Sequence, residues 1–139
     1  MSTRLTQHEV RKVAVQYLYS LEMRQDQAED RLLNYILDGR SLSEENIIYF
    51  EELISGIQRH QKEIDAELSK YLLDTWSMER LTTIDLVILR LGAEEILNTD
   101  LPDIVAIDEA INLTKDFSDE AASRLINGIL TNLIKKNEN

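Results

Sequence analysis

The sequence predicts an all-α protein: two small helical bundles, about three helices and then about four, packed into one compact domain. Three observations carry that expectation. Apolar residues recur three and four positions apart in stretch after stretch of the 139 residues. Serine, threonine and acidic residues stand ahead of several of those stretches, where helix starts need them. The composition, 43% hydrophobic with one proline and four glycines, suits helices better than a sandwich or a low-complexity chain.

Thr6 and Glu9 have the spacing of a capping box, and Val10, Val13, Ala14, Tyr17, Leu18 and Leu21 follow as one face of a first helix. Its opposite face, with Arg11, Lys12, Gln16 and Tyr19, reads as polar surface. A second helix carries Leu32, Leu33, Ile36 and Leu37 and stops at Asp38 and Gly39, since glycine takes the left-handed conformation that ends helices. Ser43, with Glu44 and Glu45 behind it, starts a third through Ile47, Ile48, Phe50, Leu53, Ile54 and Ile57. Ile64, Leu68, Tyr71 and Leu72 form a fourth stripe, either continuous with the third or set off by a kink near Arg59 and His60.

Trp76 falls in a connector, and Thr82 with Asp85 repeats the capping spacing before Leu86, Ile88, Leu89, Ala93 and Ile96. Pro102 suits the first position of the next helix, where proline loses no helical hydrogen bond, ahead of Ile104, Ile107, Ala110, Ile111 and Thr114. Ser118 is the expected cap of the last, through Ala122, Leu125, Ile126, Ile129, Leu130, Leu133 and Ile134. Short connections imply antiparallel neighbours, with sub-bundles over about 5–73 and about 76–136. Gly56, Gly92 and Gly128 interrupt apolar helical patterns at about 1 kcal/mol each relative to alanine, which points to close helix approach at all three.

The net charge of −11 is unevenly spread. Arg4, Arg11, Lys12 and Arg24 outnumber Glu9 and Glu22 over residues 1–24, a local +2, and Arg124, Lys135 and Lys136 against Glu138 give +2 over 124–139; the stretch between carries −15. Two mildly basic ends tolerate phosphate, and an acidic body suits a basic partner, although acidity on this scale also serves solubility alone. With no cysteine there is no disulfide or thiolate chemistry. The start of the chain lacks a signal-peptide pattern, and apolar runs such as Leu86 to Leu89 fall far short of the roughly 20 residues that span a bilayer, so a cytoplasmic protein without a membrane role is expected.

No phosphate-cradling glycine loop or serine elbow occurs, and His8 and His60 lie outside any metal-ligand spacing. Catalysis, metal and cofactor are therefore not expected; a carboxylate hydrolase would need acids converging from different helices. The adjacent pairs Glu44 and Glu45, Glu51 and Glu52, Glu94 and Glu95, and Asp108 and Glu109 read mostly as solvated faces, with a buried pairing of Arg90 to Glu95 or Glu109 as the exception.

From Trp76 the chain reads W-S-M-E-R-L-T-T-I-D-L-V-I-L-R-L-G-A-E-E-I-L, then P-D-I-V-A-I-D-E-A-I-N-L-T-K-D-F from Pro102 and R-L-I-N-G-I-L from Arg124; Ala14 to Ser20 adds A-V-Q-Y-L-Y-S. These ordered blocks resemble the NusB family. The resemblance implies an all-helical fold of two packed bundles and a role in antitermination on ribosomal RNA operons. The family pairs with ribosomal protein NusE, holds boxA RNA, acts indirectly on RNA polymerase and in places forms homodimers. A NusB-like domain also fronts certain ribosomal RNA cytosine methyltransferases, but 139 residues leave no room for that catalytic domain.

By resemblance the RNA-binding positions are Arg4, His8, Arg11, Lys12 and Arg124, and the NusE-facing ones Tyr19, Glu79 and Asp85. Gln7, His8 and Glu9 stand where the family is usually rich in arginine, so the arm is thin. If Arg4, Arg11, Lys12 and Arg124 each neutralise one phosphate, log affinity falls against log salt with a slope of roughly −3. That is a modest grip, and it predicts weak RNA binding alone and tighter binding with the basic partner. The competing reading is a generic acidic helical interaction module without RNA binding.

Overall fold

The computed structural model describes residues 5–23, 29–72 and 81–137; of 29, 30 and 135–137 it describes the backbone. Among them lie six α-helices: α1 (Gln7–Met23), α2 (Glu29–Leu37), α3 (Glu44–Ser69), α4 (Thr83–Asn98), α5 (Asp103–Phe117) and α6 (Glu120–Asn137). The third and fourth apolar stripes are one unbroken helix of 26 residues, roughly 39 Å at 1.5 Å per residue, with no kink at Arg59 or His60. No proline interrupts it. The expected connector around Trp76 lies outside the described residues. The structure divides into two compact units between Ser55 and Gly56.

In the first unit, α1 begins with a complete capping box. Thr6 Oγ1 accepts from the Glu9 amide at 3.2 Å while Glu9 Oε1 accepts from the Thr6 amide at 3.1 Å. Leu5 and Val10, both buried, occupy the two positions of a hydrophobic staple. The predicted face buries Val10, Val13, Ala14, Tyr17 and Leu18, and Tyr17 meets Phe50 of α3 edge-on with ring centroids 5.5 Å apart. α2 ends where expected, with Asp38 at φ 48° and Gly39 at φ 83°. Arg40 completes that end: Nε donates to the Leu37 carbonyl at 2.9 Å and Nη2 to the Ile36 carbonyl at 2.8 Å, satisfying two acceptors that a helix terminus leaves open. Ser43 caps α3 by accepting from the Asn46 amide at 3.2 Å. Ile47 and Ile48, expected in the buried stripe, are exposed.

In the second unit α4 is central, which is why its burial runs nearly all round: Val87 to Leu89 and Leu91 to Ile96 are all buried, and α5 and α6 pack on it and on each other. Gly92 marks the closest point, since a Cβ there would lie 2.8 Å from Leu130 Cδ1 and 3.4 Å from Ala110 Cβ. Gly56 has the same logic on α3, where a Cβ would collide with the Glu94 carboxylate. Gly128 does not: nothing described lies within 4 Å of an added Cβ, so the close approach expected there is absent.

The capping expectations need two corrections. Pro102 precedes α5 as its cap rather than forming its first residue, and its carbonyl accepts from Ala106. Asp119, not Ser118, caps α6 through the Ala122 amide at 2.8 Å; Ser118 closes α5 onto the Thr114 carbonyl, and its hydroxyl donates to Asp85 at 2.6 Å. Ile104, placed in the core stripe by its spacing, is exposed in the first turn of α5. Glu94 and Glu95 are buried, against the expectation of a solvated pair. Glu94 Oε1 meets His60 Nδ1 at 2.9 Å and accepts from Asn98 Nδ2 at 2.7 Å. Arg90 makes a two-pronged contact with Asp65 of α3, at 2.9 and 2.8 Å, a partner that reasoning within α4 and α5 does not reach.

Candidate nucleic-acid interface

The RNA-binding positions expected on α1 divide sharply. Arg4 lies outside the described residues; His8 and Lys12 are half-buried on the first two turns, and Gln16 and Tyr19 are exposed. Arg11 is the correction. At 3% exposure it belongs to the interior of the first unit rather than to the polar face, with its guanidinium 5.4 Å from the centre of the Tyr49 ring. A cation held against an aromatic face is stabilised by about 0.5–2 kcal/mol. Its side chain is thus drawn into the first unit, away from the polar face on which the sequence placed it.

Glu9 adds a negative group to the same turn. The Thr6 amide and hydroxyl hold its carboxyl below the ordinary 4.5, with Arg40 and Lys12 contributing by charge, so it is ionised near neutrality. In the second unit Arg124 is open to solvent, 75% exposed at the side chain, with a loose 3.9 Å approach to Glu120. Such an exposed pair contributes little and leaves the cation available. Leu125 beside it is half-buried.

Of the partner-facing positions, Tyr19 is 36% exposed and offers an amphipathic ring at the surface. Glu79 lies outside the described residues. Asp85 is nearly buried: its amide donates to Thr82 Oγ1 at 3.2 Å in the α4 cap, and its carboxylate is occupied by the Ser118 hydroxyl. It ties the start of α4 to the end of α5 instead of presenting a free charge. Sequence reasoning missed Arg40, whose place beside α1 depends on the turn after α2. Among the described residues no group of three or more His, Asp or Glu side chains could hold a metal, and no helix is long and apolar enough to cross a membrane.

The model of the NusB family matches residues 8–135. The chain belongs to the NusB family. Among its relatives, the transcription antitermination protein NusB of Ligilactobacillus salivarius is 38% identical over 130 residues, spanning 94% of this chain and 98% of its own length. The NusB of Lactiplantibacillus plantarum is 37% identical over 137 residues, spanning 97% and 99%. Among solved structures, NusB of T. maritima superposes with a TM-score of 0.83 at 31% identity, covering 96% of this chain and 94% of that one. A NusB chain solved as antitermination factors NusB and NusE in complex with dsRNA superposes at 0.78 with 24% identity, covering 93% and 96%, and shows the shared fold. The NusB-family fold is thus all-α here as the sequence predicts.

Proposed function

We propose that this chain is a non-catalytic transcription antitermination factor of the cytoplasm. With ribosomal protein NusE it holds the boxA element of RNA from ribosomal RNA operons, and through that complex it acts on RNA polymerase, without a cofactor or a membrane. The observation that carries this reading is the family match over residues 8–135, together with relatives of nearly equal length named for transcription antitermination.

The chain's own residues suit a shared grip. Arg4, Lys12 and Arg124 are the cations proposed to meet phosphate, with His8 as a further proposed RNA contact; Arg11 supports α1 from beneath. Three neutralised phosphates give a salt slope of about −2 for single-stranded RNA. Against a net charge of −11 that attraction is small, and a basic partner that binds the acidic protein adds the cations it lacks. Tyr19 and Glu79 are proposed to face NusE, with Asp85 acting through the α4 and α5 junction it holds.

Titration of boxA RNA at two salt concentrations, with and without NusE, tests the reading. Weak, modestly salt-sensitive binding alone and much tighter binding with NusE is the expected result. Equal affinity in both arms refutes the cooperative grip. Failure to bind in either arm refutes the RNA role and leaves an acidic protein-interaction module.

A further inference from the structure

Arg40 stands in the linker between α2 and α3, and the structure sets that linker against the start of α1. Its neighbour Ser41 accepts a backbone hydrogen bond from Leu5 at 3.4 Å, and Asn46 donates its side-chain amide to the Leu5 carbonyl at 2.8 Å, one residue before the capping Thr6. The charge of Arg40 reaches Glu9 on the first turn of α1, the same carboxylate that Lys12 reaches. The guanidinium is also held still. Nε and Nη2 each donate to a carbonyl at the end of α2, which uses two of its five N–H groups and leaves three without an acceptor among the described residues.

The geometry points to Arg40 as a phosphate-contacting residue for single-stranded RNA at the start of α1, supplying from a different element the cation that buried Arg11 does not offer. This rests on the RNA-binding reading above. A guanidinium already fixed by the fold loses less side-chain freedom when it binds, and its fork matches phosphate oxygens. The half-buried stem keeps the charge in place while Glu9, one turn into α1, weakens the local field. Counting Arg40 with Arg4, Lys12 and Arg124 moves the expected salt slope from about −2 to about −3.

The test uses the full chain with NusE and boxA RNA, titrated between about 50 and 200 mM salt. Arg40→Gln should weaken binding roughly three- to tenfold and make the slope shallower by about 0.7. Arg40→Lys keeps the charge and should keep the slope while losing part of the affinity. Glu9→Gln, which preserves the capping-box pattern, should tighten binding by removing a negative neighbour. Arg59→Gln on the exposed side of α3 is the control and should change nothing.

Circular dichroism and the thermal midpoint establish that each variant folds. If the wild-type chain with NusE ignores RNA, the functional reading fails and this assignment with it. If the wild type binds and Arg40→Gln keeps the full slope, the assignment alone is overturned. Should Arg40→Gln not fold, Glu9→Gln decides, and unchanged affinity in that variant overturns it.

Discussion

Three charged side chains of the first unit show how far a residue's role depends on what its neighbours leave for it. Glu9 completes the cap of α1, Arg40 completes the end of α2, and Arg11 is buried over Tyr49. The first is open to a pH test. Because the folded state holds the Glu9 carboxyl below its ordinary 4.5, the unfolded chain takes up the proton first as pH falls. The contribution of Glu9 to stability is therefore fully present above about 4.5 and is lost as pH falls through the lower folded value. Urea unfolding of the wild type and Glu9→Gln should show a gap at roughly neutral pH that closes on acidification. A gap that stays constant through that range contradicts the cap's dependence on the ionised carboxylate. Capping by Thr6 and Glu9 was legible in the sequence because it needs a spacing of three and nothing else. Burial of Arg11 was not, because it depends on Tyr49, distant in the chain.

At the scale of elements, glycines inside helices separate close packing from open surface. Gly56 lets α3 lie against the Glu94 carboxylate of α4, whose other oxygen is engaged by His60 and Asn98, so that carboxylate cannot swing aside without losing those partners. Gly56→Ala should destabilise the protein by about 1–3 kcal/mol. Gly128→Ala meets no such obstacle on α6 and should stabilise by up to about 1 kcal/mol through helix propensity. Urea midpoints measure both, and equal effects of the two substitutions would contradict the packing described. The pattern of apolar spacing identified both glycines as interior to helices, but it carried no information on which one faces a neighbour. The same limit explains Ile47, Ile48 and Ile104: an apolar residue near a helix start fits the period whether or not another element reaches that first turn.

For the molecule as a whole, charge is the dominant collective feature. At −11, self-repulsion opposes the compact state, and added salt screens it, with a Debye length of about 10 Å at 0.1 M and about 3 Å at 1 M. The thermal midpoint should rise as sodium chloride increases over that range; a fall would mean that ion pairs such as Arg90 with Asp65 outweigh the repulsion. Salt should act in the opposite direction on RNA affinity, so the two measurements separate stability from binding. By itself the sequence determined the helical class, the places where α1, α3 and α4 start and α2 stops, most of the apolar core and the family, because caps and helical periods are set by residues within about four positions of one another. The tertiary structure alone decided that two apolar stripes form one α3, that Arg11, Glu94 and Glu95 are buried, that Arg90 meets Asp65, and that Arg40 lies beside α1. Those outcomes depend on desolvation and on charge partners supplied by distant segments, which no local spacing encodes.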